Sequence, residues 1–365
     1  MARFVAIIQM LLLVFHGFVY MTLSFFFAGR SPIPPAALVT TVFLLSISFV
    51  PAALLAHRYF NRLVRLYYRF AAIWLGILNF AVLASVACWF ALAIVQLLHL
   101  HIARYPIATT FFGFGLLASL YGIFNAFNIR VNRITVQLSG LPASWRGRSA
   151  ALVTDTHLGH IIGRRFLHRI VSMLRHLRPD VVFVSGDMFD GTRVDYDRLA
   201  APWKSLAPRF GSYFVTGNHE EFSDPTNYLN AVKNSGIHVL QNETVDLDGL
   251  QVLGVPFHDS VNPRRLQSIL ENAQLDPTRA SVLLTHAPHS LPIVEEQGIN
   301  LQLSGHTHGG QIFPFTWFTS RIFGEFTYGL QRFGDLLVYT SSGAGTWGPP
   351  MRVGTHPEIV LIQFA

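Results

Sequence analysis

Four long apolar stretches, at about residues 4–28, 36–56, 70–98 and 107–128, fill the first third of the chain. Each supplies the ~20 residues that a helix needs to cross a hydrocarbon core. No water is available there to satisfy backbone groups, so these stretches are predicted to span as helices. The third is long enough to tilt or to begin within the interface. Gly17, Pro51, Gly76 and Gly113 lie within or beside these runs, where membrane helices tolerate such residues. From about Ile129 the pattern changes, and IRVNRITVQL alternates apolar and polar positions as a strand does. Short apolar runs follow at 149–154, 181–185, 212–215, 250–255, 281–285, 299–303, 336–340 and 358–364. Helical patterns at 164–177, 195–206, 226–235, 263–273 and 289–297 interleave with them. This mixture predicts a layered α/β domain over 129–365 behind a transmembrane region over 1–128, with no internal repeat.

Composition agrees with two parts of unlike solvent preference. Only 13% of the 365 residues are charged and 51% are hydrophobic, against about 25% charged in ordinary soluble proteins. The net charge of +7 is unevenly placed. Seven of the 27 basic residues and none of the 20 acidic ones lie within 1–128, so the remainder carries 20 of each. The excess therefore belongs to the apolar part, which argues against a nucleic-acid partner. Four arginines crowd the connection 57–69, whereas 29–35 and 99–106 carry one each. The arginine-rich side is the cytoplasmic one. With four spans, the first read as uncleaved, the N-terminus and the large domain both face the cytoplasm from the cell (inner) membrane. Arg58, Arg62, Arg65 and Arg69 fall at the spacing of one helix face. They are read either as attracting anionic headgroups or as setting topology alone. The single cysteine, Cys88, excludes an intrachain disulfide and a thiolate metal site, in keeping with a reducing compartment.

Polar clusters sit directly behind the predicted strands. ALVTDTH places Asp155 and His157 past one strand end, and VVFVSGDMFD places Asp187 and Asp190 past the next. YFVTGNHE gives Asn218, His219 and Glu220, VLLTHAPH gives His286 and His289, and LQLSGHTHGG gives His306 and His308. Strand ends are where α/β sheets build ligand sites, because loops converge there on a rigid support. Gly186, Gly217 and Gly305 precede three of the clusters and are expected to permit tight turns. Carboxylates, imidazoles and an amide without a thiol suit Mn²⁺, Fe or Zn²⁺. Candidate ligands this numerous are too many for one ion with open positions and match two ions that share a carboxylate.

The ordered set D-x-H, G-D-x-x-D, G-N-H-E, H and G-H-x-H resembles the calcineurin-like metallophosphoesterase family over about residues 149–310. The resemblance implies a four-layer α/β/β/α sandwich with two divalent metal ions at its edge. It implies that Asp155, His157 and His308 hold one ion, that Asn218, His286 and His306 hold the other, and that Asp187 bridges them. Two such ions make hydroxide available near neutral pH for attack on a phosphoester or pyrophosphate. His219 would then donate a proton to the leaving oxygen, with Asp190 orienting it. The four-span region is similar to that of membrane-attached bacterial relatives.

The remaining polar residues change this picture little. His160, His168, His176, His238, His258 and His356 are read as partly exposed or hydrogen-bonded histidines, and His289 as structural. Glu220 has no assigned role, and Arg352 is read as a surface ion pair or as a contact to a substrate phosphate. His16 alone sits within a span, and with no acidic partner nearby it does not suggest a proton relay. Residues 312–330, dense in Phe, Trp and Tyr, are read as a strand pair filling the core, or as an apolar lip that touches the bilayer and admits a lipid tail. A tether of four spans is explained most simply by a substrate that is itself lipid-linked. The competing class is a non-catalytic membrane sensor or scaffold whose domain binds metal or phosphate.

Overall fold

The computed structural model describes residues 2–30, 34–221 and 225–365. They divide into two compact units, one of residues 1–124 with Gly348–Val353, the other of 125–347 with 354–365.

The first unit is helical: α1 (Ala2–Phe26), α2 (Pro35–Ser46), α3 (Phe49–Arg58), α4 (Arg62–Leu97) and α5 (Arg104–Ala126). Among the described residues four segments are long and apolar enough to cross a membrane, α2 and α3 together forming one of them, Pro35–Arg58. The break between α2 and α3 has a local cause. Pro51 cannot donate to the carbonyl four residues back, and the hydroxyls of Ser46 and Ser48 donate to Phe43 and Leu45 carbonyls at 2.7 Å. α4 is 36 residues long, about 54 Å at the usual rise, so it exceeds the ~30 Å core. Asn61, extended and capping Val64 N at 3.0 Å, starts this helix anew. Arg58 therefore closes α3 while Arg62, Arg65 and Arg69 ride on α4, and the four arginines do not share one helix face as their spacing predicted.

The described residues of the second unit form twelve strands: β1 (Arg130–Val136), β2 (Ser149–Val153), β3 (Val181–Ser185), β4 (Ser212–Val215), β5 (His238–Val239), β6 (Glu243–Leu247), β7 (Leu250–Gly254), β8 (Ser281–Leu284), β9 (Leu301–Ser304), β10 (Gly329–Phe333), β11 (Leu336–Thr340) and β12 (Glu358–Phe364). They form two mixed sheets, β1-β12-β2-β3-β4-β5 and β10-β11-β9-β8-β7-β6. One buried cluster joins both sheets, with Leu152, Phe183 and Ile362 of the first packed in it with Val252, Leu284 and Leu303 of the second. The other face of the second sheet packs Leu253, Leu283 and Val338 with Leu266 and Leu270 of the helix Pro263–Asn272 and Val294 of the helix Leu291–Glu296. α6 (Arg164–Leu177) buries Phe166, Leu167, Ile170, Val171 and Leu174, a stripe at helical spacing. The result is the expected α/β sandwich. β5, β6 and β10, at or beside sheet edges, were not expected, since their short or polar sequences carry little strand pattern.

Candidate metal centre

In the first sheet β2, β3 and β4 are parallel and in register, Val153 opposite Val184 and Ser185 opposite Val215. In the second, β8 and β9 are parallel with Leu284 opposite Leu303. Five loops therefore leave matching strand ends and bring Asp155 and His157, Asp187, Asn218 and His219, His286, and His306 and His308 towards one place. Three overlapping groups, Asp155–His157–His308, Asp155–Asp187–His286 and His157–Asp187–His219, each hold their ligand atoms within 4.8 Å of one another.

Individual distances define two halves. His157 Nε2 and His308 Nε2 face each other at 3.0 Å, and Asp155 Oδ1 lies 3.3 Å from the latter. In the other half Asp187 Oδ2 lies 3.3 Å from His286 Nε2, which is 3.3 Å from His306 Nδ1. Asp187 Oδ2 also lies 3.7 Å from His157 Nε2, so it stands between the halves. Two nitrogens held at ~2.1 Å from one ion at a right angle sit ~3.0 Å apart, which is the His157–His308 spacing. Asn218 Oδ1 is buried without a hydrogen-bond partner among the described residues, a costly state that a cation relieves. His286 Nδ1 donates to the Ser185 carbonyl at 2.8 Å, which directs Nε2 into the cluster as a ligand would need. These donors fit divalent ions.

The backbone is bent to make this arrangement. Asp155, His157, Asp187, His306 and His308 all have positive φ, between 45° and 71°. Such conformations cost non-glycine residues ~1–2 kcal/mol each and cluster at functional sites. The glycines serve differently from expectation. Gly186 alone of the three has positive φ, 78°. Gly217 and Gly305 instead provide space, since a Cβ would stand 2.1 Å from Asp187 Oδ1 in one case and 2.2 Å from Asp155 Oδ2 in the other.

Electrostatics follow from burial. Burial opposes the charge on Asp155 and Asp187, yet the surrounding imidazoles, His308 foremost for Asp155 and His286 for Asp187, hold both below the usual carboxylate range. Burial likewise disfavours protonated His286, but Asp187 outweighs it and pushes the pKa up to about 10. His306, half-buried and beside that cation, falls to about 3, through loss of water and then repulsion from His286. Burial also carries His157 well below its ordinary value. Asp187 and protonated His286 thus form an ion pair within the cluster.

His219 and Asp190 are arranged differently from the sequence expectation. His219 Nδ1 lies 3.1 Å from the main-chain carbonyl oxygen of Asp190, while the Asp190 carboxylate accepts from Thr192 N at 2.9 Å. Orientation of the ring through this contact runs by the backbone of Asp190. His219 N also donates to Asp187 Oδ1 at 3.0 Å. Glu220 is the residue that sequence reasoning left without a role. Fully buried, it accepts from the N–H groups of Asp187 and Phe189 at 2.9 Å and of Gly217 at 2.8 Å, tying the β3 loop to the β4 loop. Burial, then repulsion from Asp187, pushes its pKa up to about 8. Arg352 is fully buried within Gly348–Val353, so it is no surface ion pair. His160 is likewise buried rather than partly exposed.

Comparison with known proteins accords with this geometry. Residues 149–310 match the family described as calcineurin-like phosphoesterase. The chain carries a calcineurin-like phosphoesterase domain. It is 34% identical over 266 residues to a zebrafish (Danio rerio) transmembrane protein with metallophosphoesterase domain, covering 67% of this chain and 59% of the relative. An uncharacterized metallophosphoesterase of Campylobacter jejuni is 32% identical, covering 58% of each chain. One from Aquifex aeolicus is 28% identical over 68% of this chain and 96% of its own. The chain thus spans about three fifths of the length of the first two relatives. In the phosphoesterase domain, each of the seven candidate ligands falls between residues 149 and 310.

Proposed function

We propose that this protein is a membrane-anchored phosphohydrolase that cleaves a phosphoester or pyrophosphate bond at a two-ion centre. In this reading Asp155, His157 and His308 hold one divalent ion (Mn²⁺, Fe or Zn²⁺), Asn218, His286 and His306 hold the other, and Asp187 bridges them. When bound, the ions would neutralise charge on the phosphoryl oxygens and lower the pKa of water in the site. The chain's own residues supply the rest. The contact of His219 Nδ1 with the Asp190 carbonyl fixes the tautomer and presents Nε2 for proton donation to the departing oxygen. Glu220 holds the β3 and β4 loops together, so the ligands are placed before substrate arrives.

Four segments of spanning length support a membrane anchor, and the arginine-rich connection 57–69 supports a domain facing the cytoplasm from the cell (inner) membrane. A lipid-linked phosphoester is the substrate class that gives such an anchor a purpose. The observation that carries the reading is the 3.0 Å approach of the His157 and His308 imidazole nitrogens, with Asp155 Oδ1 3.3 Å from the latter. The test is a panel of soluble and lipid phosphoesters offered to the purified full chain with Mn²⁺ or Zn²⁺, beside Asp187→Asn and His219→Ala. Metal-dependent hydrolysis lost in both variants supports the proposal. Bound metal with no hydrolysis of any substrate points to a sensor or scaffold instead.

A further inference from the structure

Residues 312–330 do not form a strand pair buried in the core. Phe315–Phe323 is a nine-residue helix in which no residue is buried. Phe315 is 55% exposed, Phe318 49% and Ile322 75%, and these fall at helical spacing on one stripe. Trp317, 51% exposed, packs edge-on against Phe318 with ring centroids 4.9 Å apart. Phe313 and Trp347 are exposed as well. Among the described residues beyond Phe127, these six are the exposed large apolar side chains, so the second unit concentrates them in one segment and one neighbouring loop. The loop is tied on by Gln311, whose side chain donates to Trp347 O at 3.0 Å and accepts from Trp347 N at 2.9 Å.

The patch borders the metal centre. The Phe323 ring lies 6.2 Å from that of His306 and 5.5 Å from that of His289, and the Trp347 ring lies 5.8 Å from that of His219. A contiguous apolar patch is costly in water and marks a surface that is covered in use. The chemistry of this one selects among occupants. Trp317 and Trp347, apolar rings with an indole N–H, suit the headgroup boundary of a bilayer, with the Phe and Ile side chains as its apolar complement. Arg321, exposed and stacked 5.1 Å over the Trp317 ring, adds a cation, and the helix holds no acidic residue. That charge complements anionic lipid. The same chain carries four segments of spanning length, so a bilayer is always within its reach.

We infer that the helix Phe315–Phe323, with Phe313 and Trp347, is a bilayer-docking surface that seats the rim of the metal centre among the headgroups of an anionic membrane. Docking there would present lipid-borne phosphoesters to His219 and the two carboxylates without full extraction from the bilayer. The link to catalysis rests on the proposed function, whereas the docking itself does not.

The experiment places a nitroxide at Phe318→Cys, at Ile322→Cys and, as an exposed control, at Gln267→Cys, each in a Cys88→Ala chain. The full protein is reconstituted into phosphatidylglycerol and phosphatidylcholine vesicles. Collision with oxygen, which dissolves in lipid, is compared with collision with a water-soluble nickel chelate. The inference predicts an oxygen-to-nickel ratio at 318 and 322 several-fold above that at 267, falling when phosphatidylglycerol is omitted. Equal ratios at all three positions overturn it. Labels at 318 and 322 shielded from both reagents and broadened by one another also overturn it, in favour of a second copy of the chain on this face. Because the readout needs no turnover, a catalytically silent protein that docks would refute the proposed function alone.

Discussion

In the proposed reading Asp187 and His219 divide the work of the site at the scale of single residues, and the division can be tested. Asp187 faces both halves of the cluster, whereas His219 belongs to one of the three groups, that of His157 and Asp187, with its ring held by the Asp190 carbonyl. His219→Ala should retain bound metal and lose about 10²–10⁴ of turnover, the usual worth of a general acid, measured as kcat beside metal content. The protonation of His286 gives a second prediction. Its pKa in the metal-free fold, about 10, lies above the ordinary 6.5. Its contribution to the metal-free fold is therefore complete below 6.5 and lost as pH rises through about 10. A divalent ion must displace that proton, so metal affinity should rise with pH up to this limit. Calorimetry near pH 7 in buffers of different ionisation enthalpy should show at least one proton released per chain. The candidate ligands were legible in the sequence because metal chemistry restricts them to Asp, His and Asn at short spacings. Glu220 was not, because its work is done on backbone N–H groups of a loop more than thirty residues away, and no spacing rule encodes that. Nor does spacing disclose the left-handed backbone of five of the seven candidates.

Strand ends and glycines operate at the next scale, where the loops are packed against one another. Gly217→Ala would drive a methyl group to 2.1 Å from Asp187 Oδ1 and 2.5 Å from its main-chain nitrogen. Overpacking of this kind costs about 1–3 kcal/mol, and here the strain falls on a ligand loop. The expected outcome is lowered metal content together with a lowered unfolding temperature of the phosphoesterase domain, read by elemental analysis and calorimetry. Gly305→Ala should act alike through Asp155. The principal strands were readable because buried strands in a layered domain are short, apolar and β-branched. Edge strands such as β6, with the pattern ETVDL, face water and carry no such signature. The helix Phe315–Phe323 misled for the opposite reason, since aromatic residues favour strands when buried and here they are exposed. Pro51 and the Ser46–Ser48 pair, which divide the second apolar segment, lie inside a stretch whose hydropathy reads as one helix.

Over the whole molecule, the charge count already separated an apolar part free of acidic residues from a domain with 20 charges of each sign, and the structure has two compact units. Metal binding links the folded domain to its ligand. An ion held a thousandfold above its dissociation constant adds about 4 kcal/mol to stability. For a domain of this size that corresponds to roughly 10 °C, so chelation should lower its unfolding transition by about that amount. The Asp187→Asn chain, which in the proposed reading lacks the bridging carboxylate, should show a smaller shift. That seven residues from five loops grip two ions at once is tested by the metal stoichiometry of the purified full chain. Elemental analysis is predicted to find about two divalent ions per wild-type chain and fewer than two in Asp187→Asn. No bound metal in the wild type, or a content that the substitution leaves unchanged, would contradict it.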